Sequence, residues 1–214
     1  GRLLVIRLDR DLGAAGRNVG VRACTTPYVA FCEQDSWWQP DATGIAEEVF
    51  ARHPSVGLLA GRTVVGPART EDPKVHLLAG SALGTRRGLP GPSVLDFLAG
   101  SSVVRTQAFL AAGGFSTVLG GEEHLLALDM AARGWDLCYR PDLVAIHHPS
   151  QIRSPSQTQD ARSLRNAVLT TWLRRPPADC RRATGRLLRC AVRDTAHARA
   201  AAEAIGRVPA VIVQ

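Results

Sequence analysis

Short apolar runs alternate with helical segments along most of the sequence, and this alternation constrains the fold more than any other feature. Between the apolar runs, hydrophobic residues recur every three to four positions, which is the period of an amphipathic helix. Strands that alternate with helices in this way predict an α/β domain with a mainly parallel sheet. The predicted strands are residues 3–6, 27–32, 56–60, 97–104, 137–139 and 143–146.

Glycines mark the ends of two predicted helices. A short helix over residues 108–112 stops at Gly113 and Gly114, and a longer helix over 122–133 is followed by Gly134 at the position after its end. Further helices are predicted at about 14–25 and 43–52. Residues 61–92 are rich in Gly, Pro and Arg without a clear period, so a mobile loop is expected there.

The last third of the chain is helical in pattern and rich in arginine. Leu164, Val168 and Trp172 recur at helical spacing, and a second helix is predicted to run to about residue 205. We therefore expect two parts, an α/β domain over residues 1–152 and a helical extension over 153–214. Twelve arginines and only four acidic residues follow residue 150, and the whole chain has a formal net charge of +7.

Such a basic face can bind nucleic acid or an anionic membrane, or it can simply be solvated. Because aromatic residues are not interleaved with the arginines, nucleic-acid binding is not expected, and peripheral contact with an anionic membrane is the hypothesis retained. No apolar run approaches the roughly 20 residues that span a bilayer, and no signal peptide is apparent.

The five cysteines favour a reducing compartment. Their number is odd and no two are spaced as CxxC, which argues against a disulfide scaffold or a zinc ribbon. Cys24, Cys32 and Cys138 stand in apolar surroundings, where a free cysteine behaves as a small hydrophobic residue. A cytoplasmic location is the resulting expectation.

An acidic motif, Glu33-Gln34-Asp35, follows the predicted strand 27–32. Ligands of α/β proteins bind at the carboxyl ends of strands, and carboxylate oxygens there can hold a divalent cation that bridges a diphosphate. The alternative is a solvated turn in which Asp35 caps the next element. The motif taken alone does not decide between these interpretations.

Two more groups carry possible chemistry. Glu122 and Glu123 open a helix, where acids either stabilise the helix dipole or include a general base. His147 and His148 follow a strand, as metal ligands or as part of a polar edge. Ser101 lies outside any nucleophile-elbow pattern, and the sequence contains neither GxxxxGK[ST] nor GxGxxG.

In combination, these motifs resemble a family of enzymes. The stretches GAAGRNVGVRACTTPYVAFCEQDSWWQPD and FLAGSSVVRTQAFLAAGGFSTVLGGEEHLLALDMAARGWDLCYRPDLVAIHHPS are similar to family 2 glycosyltransferases with the GT-A fold. The resemblance covers about residues 3–150 and continues more weakly beyond them. It implies transfer of a sugar, usually with inversion, from a nucleotide-sugar to a glycan, lipid-linked or natural-product acceptor, for example in cell-envelope biosynthesis at the inner face of the membrane.

The resemblance also implies roles for residues. Glu33-Gln34-Asp35 stands where the family has a DxD-like motif that holds Mg²⁺ or Mn²⁺, with Asp35 as the safest ligand. Glu123 matches the family's catalytic base, and Glu122 would contact the acceptor together with Trp37 and Trp38. For one of the two tryptophans, ordinary core packing is expected instead. The resemblance further implies Arg17, Asn18, Glu33 and Asp35 as donor-binding residues, and His147 as a second metal ligand with His148 as its fallback.

The chain departs from the family pattern in two respects. A strand, a helix and a second strand that normally come first do not precede Leu3, so the sequence predicts an N-terminally incomplete domain of marginal stability and weak nucleotide affinity. The motif at 33–35 has a longer first acid and a neutral middle residue, which puts metal affinity in question. A non-catalytic or degraded relative with a binding or structural role is therefore the alternative hypothesis.

Overall fold

The computed structural model describes residues 3–116, 123–149 and 156–207. The chain divides into two compact units, Gly1–Ser150 and Gln151–Gln214. The first unit is built on one sheet and the second consists of helices, so each is described by itself.

The first unit contains a mixed six-stranded sheet with the order β1-β5-β3-β6-β2, and β4 pairs with the carboxyl-terminal end of β3. Strands β3 and β6 are parallel, whereas every other pair is antiparallel. The strands are β1 (Tyr28–Ala30), β2 (Ser36–Trp38), β3 (Val56–Val65), β4 (Thr70–Glu71), β5 (Ser102–Arg105) and β6 (Asp136–His147).

The α/β class is confirmed, but the prediction of a mainly parallel sheet is wrong. Strands β1, β3 and β6 run in the same direction, as alternating strands and helices suggest. Strand β5, however, lies between β1 and β3 and is antiparallel to both. The carboxyl ends of β1, β3 and β6 still meet at one edge of the sheet.

Neighbouring residues of a strand point to opposite faces of the sheet. Both faces of this sheet therefore carry apolar side chains, and helices cover both. Leu58 joins a core with Phe97, Phe109 and Phe115, whereas Leu59 joins a second core with Phe50 and Leu143. The helices of this unit are α1 (Gly16–Ala23), α2 (Ala42–Arg52), α3 (Pro73–Ala79), α4 (Thr106–Ala111) and α5 (Glu123–Ala132), with 3-10 turns at Gly13–Ala15 and Ala99–Ser101.

Three other predictions for this unit are corrected. Residues 3–6 are not a strand but an exposed segment, and Leu3 is 91% exposed. Residues 61–92 are not one long loop, because they include the end of β3, β4 and α3. The two strands predicted around Pro141 are a single strand, β6, whose pairing with β3 shifts register between Arg140 and Val144.

The second unit is formed by α6 (Ser156–Arg174), α7 (Pro177–Ala191) and α8 (Thr195–Gly206), so the predicted second helix is in fact two helices. An ion pair between Arg165 and Glu203 joins α6 to α8. The indole of Trp172 donates a hydrogen bond to Thr184, which joins α6 to α7. None of the helices in the described part of the chain is long and apolar enough to cross a membrane.

Gly57 shows how tightly β3 packs against the helices. A Cβ atom at this position would lie 2.9 Å from the Cβ of Ala108 and 3.0 Å from both the Cε of Met130 and the Cβ of Trp135. These neighbours belong to or follow α4 and α5, so β3 and the two helices approach each other as closely as a glycine permits.

We therefore expect Gly57→Ala to lower the free energy of unfolding by about 1–3 kcal/mol, as overpacking of a close-packed core does. The matched control is Gly44→Ala in α2, where nothing lies within 4 Å of the added atom. It should be neutral or stabilising by up to about 1 kcal/mol. Urea unfolding of both variants measures the difference, and equal stabilities would contradict this account of the packing.

Candidate functional site

A tight turn at the carboxyl end of β1 positions the acidic motif. Ser36 Oγ accepts a hydrogen bond from the backbone N–H of Glu33 at 2.7 Å, and the N–H of Ser36 donates to the carbonyl of Glu33 at 3.1 Å. Gly100 packs against the Glu33 side chain, since a Cβ there would lie 2.9 Å from its Cγ. The motif is thus a turn rather than an extended chain, and the neighbouring backbone restricts Glu33.

The end of β6 brings His147 to this turn. His147 is paired with Ser36 in the antiparallel register of β2 and β6, and its Nε2 lies 3.4 Å from Oδ2 of Asp35. One ligand atom from each of Glu33, Asp35 and His147 can be chosen so that all three lie within 4.8 Å of one another. Two carboxylates and an imidazole form a donor set that suits a divalent cation such as Mn²⁺ or Mg²⁺.

Arg17 on α1 contacts the same turn. Its guanidinium lies 2.9 Å from Oε1 of Glu33 and over the ring of Phe115, 5.7 Å from the centroid. The positive charge of Arg17 therefore lies beside the carboxylate cluster, where it could contact a negatively charged ligand.

Asn18, the neighbour of Arg17, is buried and bonded to backbone. Its Nδ2 donates to the carbonyl of Phe115 at 2.8 Å, and its Oδ1 accepts from the N–H of Phe115 at 2.9 Å. Gly114 has φ of +72°, and a Cβ there would approach Oδ1 of Asn18 to 2.5 Å. Asn18 thus joins α1 to the turn after α4 and, through this turn, holds Arg17 in place.

Glu123 occupies the first position of α5 as the structure describes it. Burial raises the pKa of the Glu123 carboxyl above its usual value of 4.5, although Lys74 and Arg17 nearby act in the opposite direction. Lys74 is itself paired with Asp96 at 3.0 Å. A carboxylate whose pKa is raised binds a proton more strongly, which is the property that a general base uses.

A cavity of about 120 Å³ brings these groups together. Glu33, His147 and Glu123, from three separate parts of the sequence, all line it. The cavity lies at the edge where β3 and β6 end and β5 begins. Its other lining residues are Ser36, Thr63, Asp72, Leu98, Ala99, Gly100, Ser101 and Ala145.

The two tryptophans do not line this cavity. Trp38 donates a hydrogen bond from Nε1 to the carbonyl of Phe31 at 2.9 Å and packs against the second core, which accounts for it structurally. Trp37 is 48% exposed, and its ring contacts that of His148 in a tilted arrangement with centroids 5.0 Å apart. Glu122 lies outside the described residues.

Sequence reasoning missed three charged residues beside Glu123, namely Asp72, Lys74 and Asp96. Asp72 caps α3 by accepting a hydrogen bond from the N–H of Lys74 at 2.9 Å, with Pro73 in the first turn. An Asp-Pro pair at a helix start was the sequence signal that could have located this element. Asp96 has no such signal, because only the path of the chain between α3 and β5 brings it to Lys74.

One prediction about the cysteines is also corrected. Cys138 is buried in the second core, and burial raises the pKa of its thiol to about 11. Cys24 and Cys32, in contrast, are exposed rather than enclosed by apolar neighbours. All five thiols are free.

Comparisons with known sequences give a consistent family. The family model described as Glycosyl transferase family 2 matches residues 1–111. Two curated relatives from strains of Mycobacterium tuberculosis, both named pre-mycofactocin glycosyltransferase, are 34% identical over 149 residues, which is 65% of this chain. The chain spans 31% of the length of these relatives.

Comparisons with solved structures agree on the fold. The mannosyltransferase PcManGT from Pyrobaculum calidifontis, in complex with GDP-Man and Mn²⁺, matches with a TM-score of 0.59 at 19% identity, over 99% of this chain and 57% of that chain. GalNAc-T7 with UDP, GalNAc and Mn²⁺ matches with a TM-score of 0.55 at 12% identity, over 78% of this chain and 36% of that chain. The α/β fold is thus GT-A-like, as the sequence predicted.

The raised pKa of Glu123 leads to a prediction for stability. Because ionisation is harder in the folded chain, the contribution of Glu123 to stability is fully present below pH 4.5 and is lost as the pH rises through its folded-state pKa. Glu123→Gln removes this loss, so the unfolding free energy of the variant should rise relative to the wild type between pH 4 and pH 8.

Urea unfolding at both pH values measures this difference. The matched control is Glu47→Gln on α2, which removes an equal charge from an exposed side chain. If Glu123→Gln and Glu47→Gln respond alike to pH, burial does not control the ionisation of Glu123.

Proposed function

We propose, on the premise that the chain belongs to glycosyl transferase family 2, that it transfers a sugar from a nucleotide-sugar donor to an acceptor hydroxyl. The observation that carries this proposal is the single cavity lined by Glu33, His147 and Glu123. A carboxylate–imidazole cluster and a partly buried carboxyl group with a raised pKa are the two components that metal-assisted transfer requires.

The proposed donor site lies at Glu33, Asp35 and His147. Their oxygen and nitrogen atoms fit Mg²⁺ or Mn²⁺, and such a cation, when bound, would neutralise the diphosphate as it leaves. Arg17 stands beside this cluster and supplies a further positive charge for the phosphates. Asn18 supports the donor site indirectly, because its observed hydrogen bonds hold the α1 helix that carries Arg17.

The proposed base is Glu123. Its carboxylate takes the proton of the acceptor hydroxyl while the acceptor oxygen forms a bond to the anomeric carbon. The bond from that carbon to the phosphate oxygen breaks, and its electron pair leaves with the nucleoside diphosphate. Attack from the side opposite the leaving group inverts the anomeric configuration. Glu122 remains a predicted acceptor contact, and so does the exposed Trp37, which does not line the cavity.

Acceptor and place of action complete the proposal. The acceptor is a glycan, a lipid-linked compound or a natural product, each of which presents the hydroxyl that this chemistry needs. We infer that the reaction belongs to cell-envelope biosynthesis on the cytoplasmic side of the membrane. The alternative, a non-catalytic relative, is supported by the Arg17 ion pair that already engages Glu33 and by the neutral Gln34.

Transfer is tested with donor-binding and turnover measurements on the same proteins. Thermal shift against UDP-, GDP- and dTDP-sugars should show stabilisation by one nucleotide class that depends on Mn²⁺, of about 2.7 kcal/mol at a hundred times the Kd. His147→Ala should weaken the Mn²⁺-dependent part. Its control is His53→Ala, whose Nδ1 contacts the carbonyl of Gly88 away from the cavity.

Glu123→Gln separates the enzyme from the non-catalytic alternative. It should leave donor binding intact and lower the transfer rate by about 10²–10⁴-fold, which is the usual contribution of a general base. Transfer by Glu123→Gln at the wild-type rate would exclude Glu123 as base. Donor binding without transfer by the wild type, toward any acceptor class, would favour the non-catalytic alternative.

Membrane contact is part of the proposal and concerns the second unit alone. Arg181, Arg186 and Arg189 of α7 are exposed, and no ion pair engages them within the described residues. Leu188, 49% exposed, and Val192, 86% exposed, adjoin this basic face one helical turn apart. A helix that presents arginines beside apolar side chains is suited to an anionic lipid surface.

We expect the chain to bind phosphatidylserine-containing vesicles and not phosphatidylcholine vesicles in a sedimentation assay. The triple variant Arg181→Gln, Arg186→Gln, Arg189→Gln should lose about 3 kcal/mol of binding, at about 1 kcal/mol per arginine. A control with Arg22→Gln, Arg87→Gln and Arg133→Gln removes equal charge from the first unit. Equal binding by both triple variants, or retention by duplex DNA instead of vesicles, would contradict the proposed contact.

A further inference from the structure

A second, larger groove lies next to the proposed base. Its volume is about 350 Å³, compared with about 120 Å³ for the cavity that contains Glu123. The groove is bounded by α3, by residues 80–83 and by residues 94–96, and it reaches the first turn of α5 at His124. His124 is the chain neighbour of Glu123, so one end of the groove meets α5, the helix that carries the proposed base.

The polar groups of the groove are concentrated near this end. Lys74 and Asp96 form an ion pair with each other, and both influence the pKa of Glu123. The Nδ1 of His124 lies 2.6 Å from the carbonyl of Leu95 and must donate there, because a carbonyl oxygen only accepts. Lys74 Nζ, Asp96 Oδ1 and His124 Nδ1 thus already have partners within the protein.

The other side chains of the groove are apolar except for Ser81. Leu77 is 74% exposed and Leu83 is 53% exposed, while Leu78 and Val94 are buried and form its base. No Trp, Tyr or Phe lines the groove among the described residues. Exposed leucines on a concave surface are suited to an apolar ligand, because covering them removes hydrocarbon from water.

This apolar wall is held in place before any ligand binds. Ser81 Oγ donates to the carbonyl of Ser93 at 2.6 Å, and the N–H of Ser93 donates to the carbonyl of Gly84 at 2.8 Å. These bonds join the segment that carries Leu83 to the segment that carries Val94. A preformed wall reduces the ordering cost of binding.

We propose that this groove binds the apolar body of the acceptor, and that the acceptor is a hydroxylated aryl or alkyl compound rather than a glycan. The inference rests on the proposed sugar transfer, since it places the acceptor hydroxyl at Glu123 and the hydrocarbon against Leu77 and Leu83. A sugar ring would meet leucine side chains where its hydroxyls need hydrogen-bond partners, and those left unpaired would weaken binding. An apolar body has no such requirement.

The test compares acceptors with the nucleotide-sugar that stabilises the chain. The probes are 2-phenylethanol as an aryl alcohol, 1-octanol as an alkyl alcohol, and methyl β-glucoside as a sugar acceptor without an apolar body. We expect the two alcohols to be used with kcat/KM at least tenfold above methyl β-glucoside. The ratio of 2-phenylethanol to 1-octanol distinguishes a small aryl acceptor from a lipid one.

The variants Leu77→Asn and Leu83→Asn should raise KM for the preferred alcohol about tenfold or more, with the KM for the donor unchanged. Both side chains are exposed, so folding should be preserved. Leu110→Asn on α4, an exposed leucine outside the groove, is the matched control. Preference for methyl β-glucoside, or an acceptor KM that neither groove variant changes, would overturn the inference while the proposed transfer stands.

Binding without turnover decides the case in which transfer fails. Saturation-transfer NMR of 2-phenylethanol and 1-octanol reports occupancy of the groove by itself. A signal that Leu77→Asn and Leu83→Asn reduce and Leu110→Asn retains would support an apolar ligand site even in a chain that transfers no sugar. Absence of that signal for both alcohols would overturn the inference.

Discussion

The parallel pairing of β3 with β6 holds the first unit together, because every other strand of the sheet reaches one of these two. Strands β4 and β5 pair with β3, β1 is attached through β5, and β2 pairs with β6. Both hydrophobic cores include side chains from β3 and β6. Gly57 allows α4 and α5 to approach this pair. A Cβ added at Gly61 would lie 2.6 Å from the carbonyl oxygen of Leu143, near the register shift, so only glycine fits there.

The same pairing places the site. Since β1, β3 and β6 run in one direction, their carboxyl ends meet at one edge, where His147 and the turn at Glu33 come together. Strand β5 enters the sheet at this edge, so the turn before it contributes Gly100 and Ser101 to the cavity. The position of the cavity follows the general tendency of α/β sheets to bind ligands beyond strand ends.

Local patterns in the sequence predicted the elements that local physics determines. The helix α2 has an apolar period, and Gly113 and Gly134, which follow α4 and α5, adopt the positive φ of helix ends. Residues 3–6 look like a strand because they are apolar, yet a strand needs a hydrogen-bonded neighbour and the structure shows none for them in the described chain. Pro141 divided β6 in the prediction, whereas proline is tolerated where the register shifts.

The candidate site was predictable to the extent that it lies at element ends. Glu33, Asp35, Glu123 and His147 follow strands or open a helix, and the sequence shows this directly. The role of Asn18 was not visible, because its partner Phe115 is 97 positions away. Lys74 and Asp96 reach Glu123 through a segment without a period, so only the folded path of the chain reveals them.

The basic surface of α7 has a property that follows from its composition. All of its positive side chains are arginines, and the chain contains a single lysine, Lys74, which lies in the first unit. Guanidinium groups keep their proton throughout the physiological range of acidity and cannot be neutralised by lysine acetylation. The attraction of this surface for an anionic partner would therefore be controlled by ionic strength and by the charge of the partner, and not by acidification of the cell.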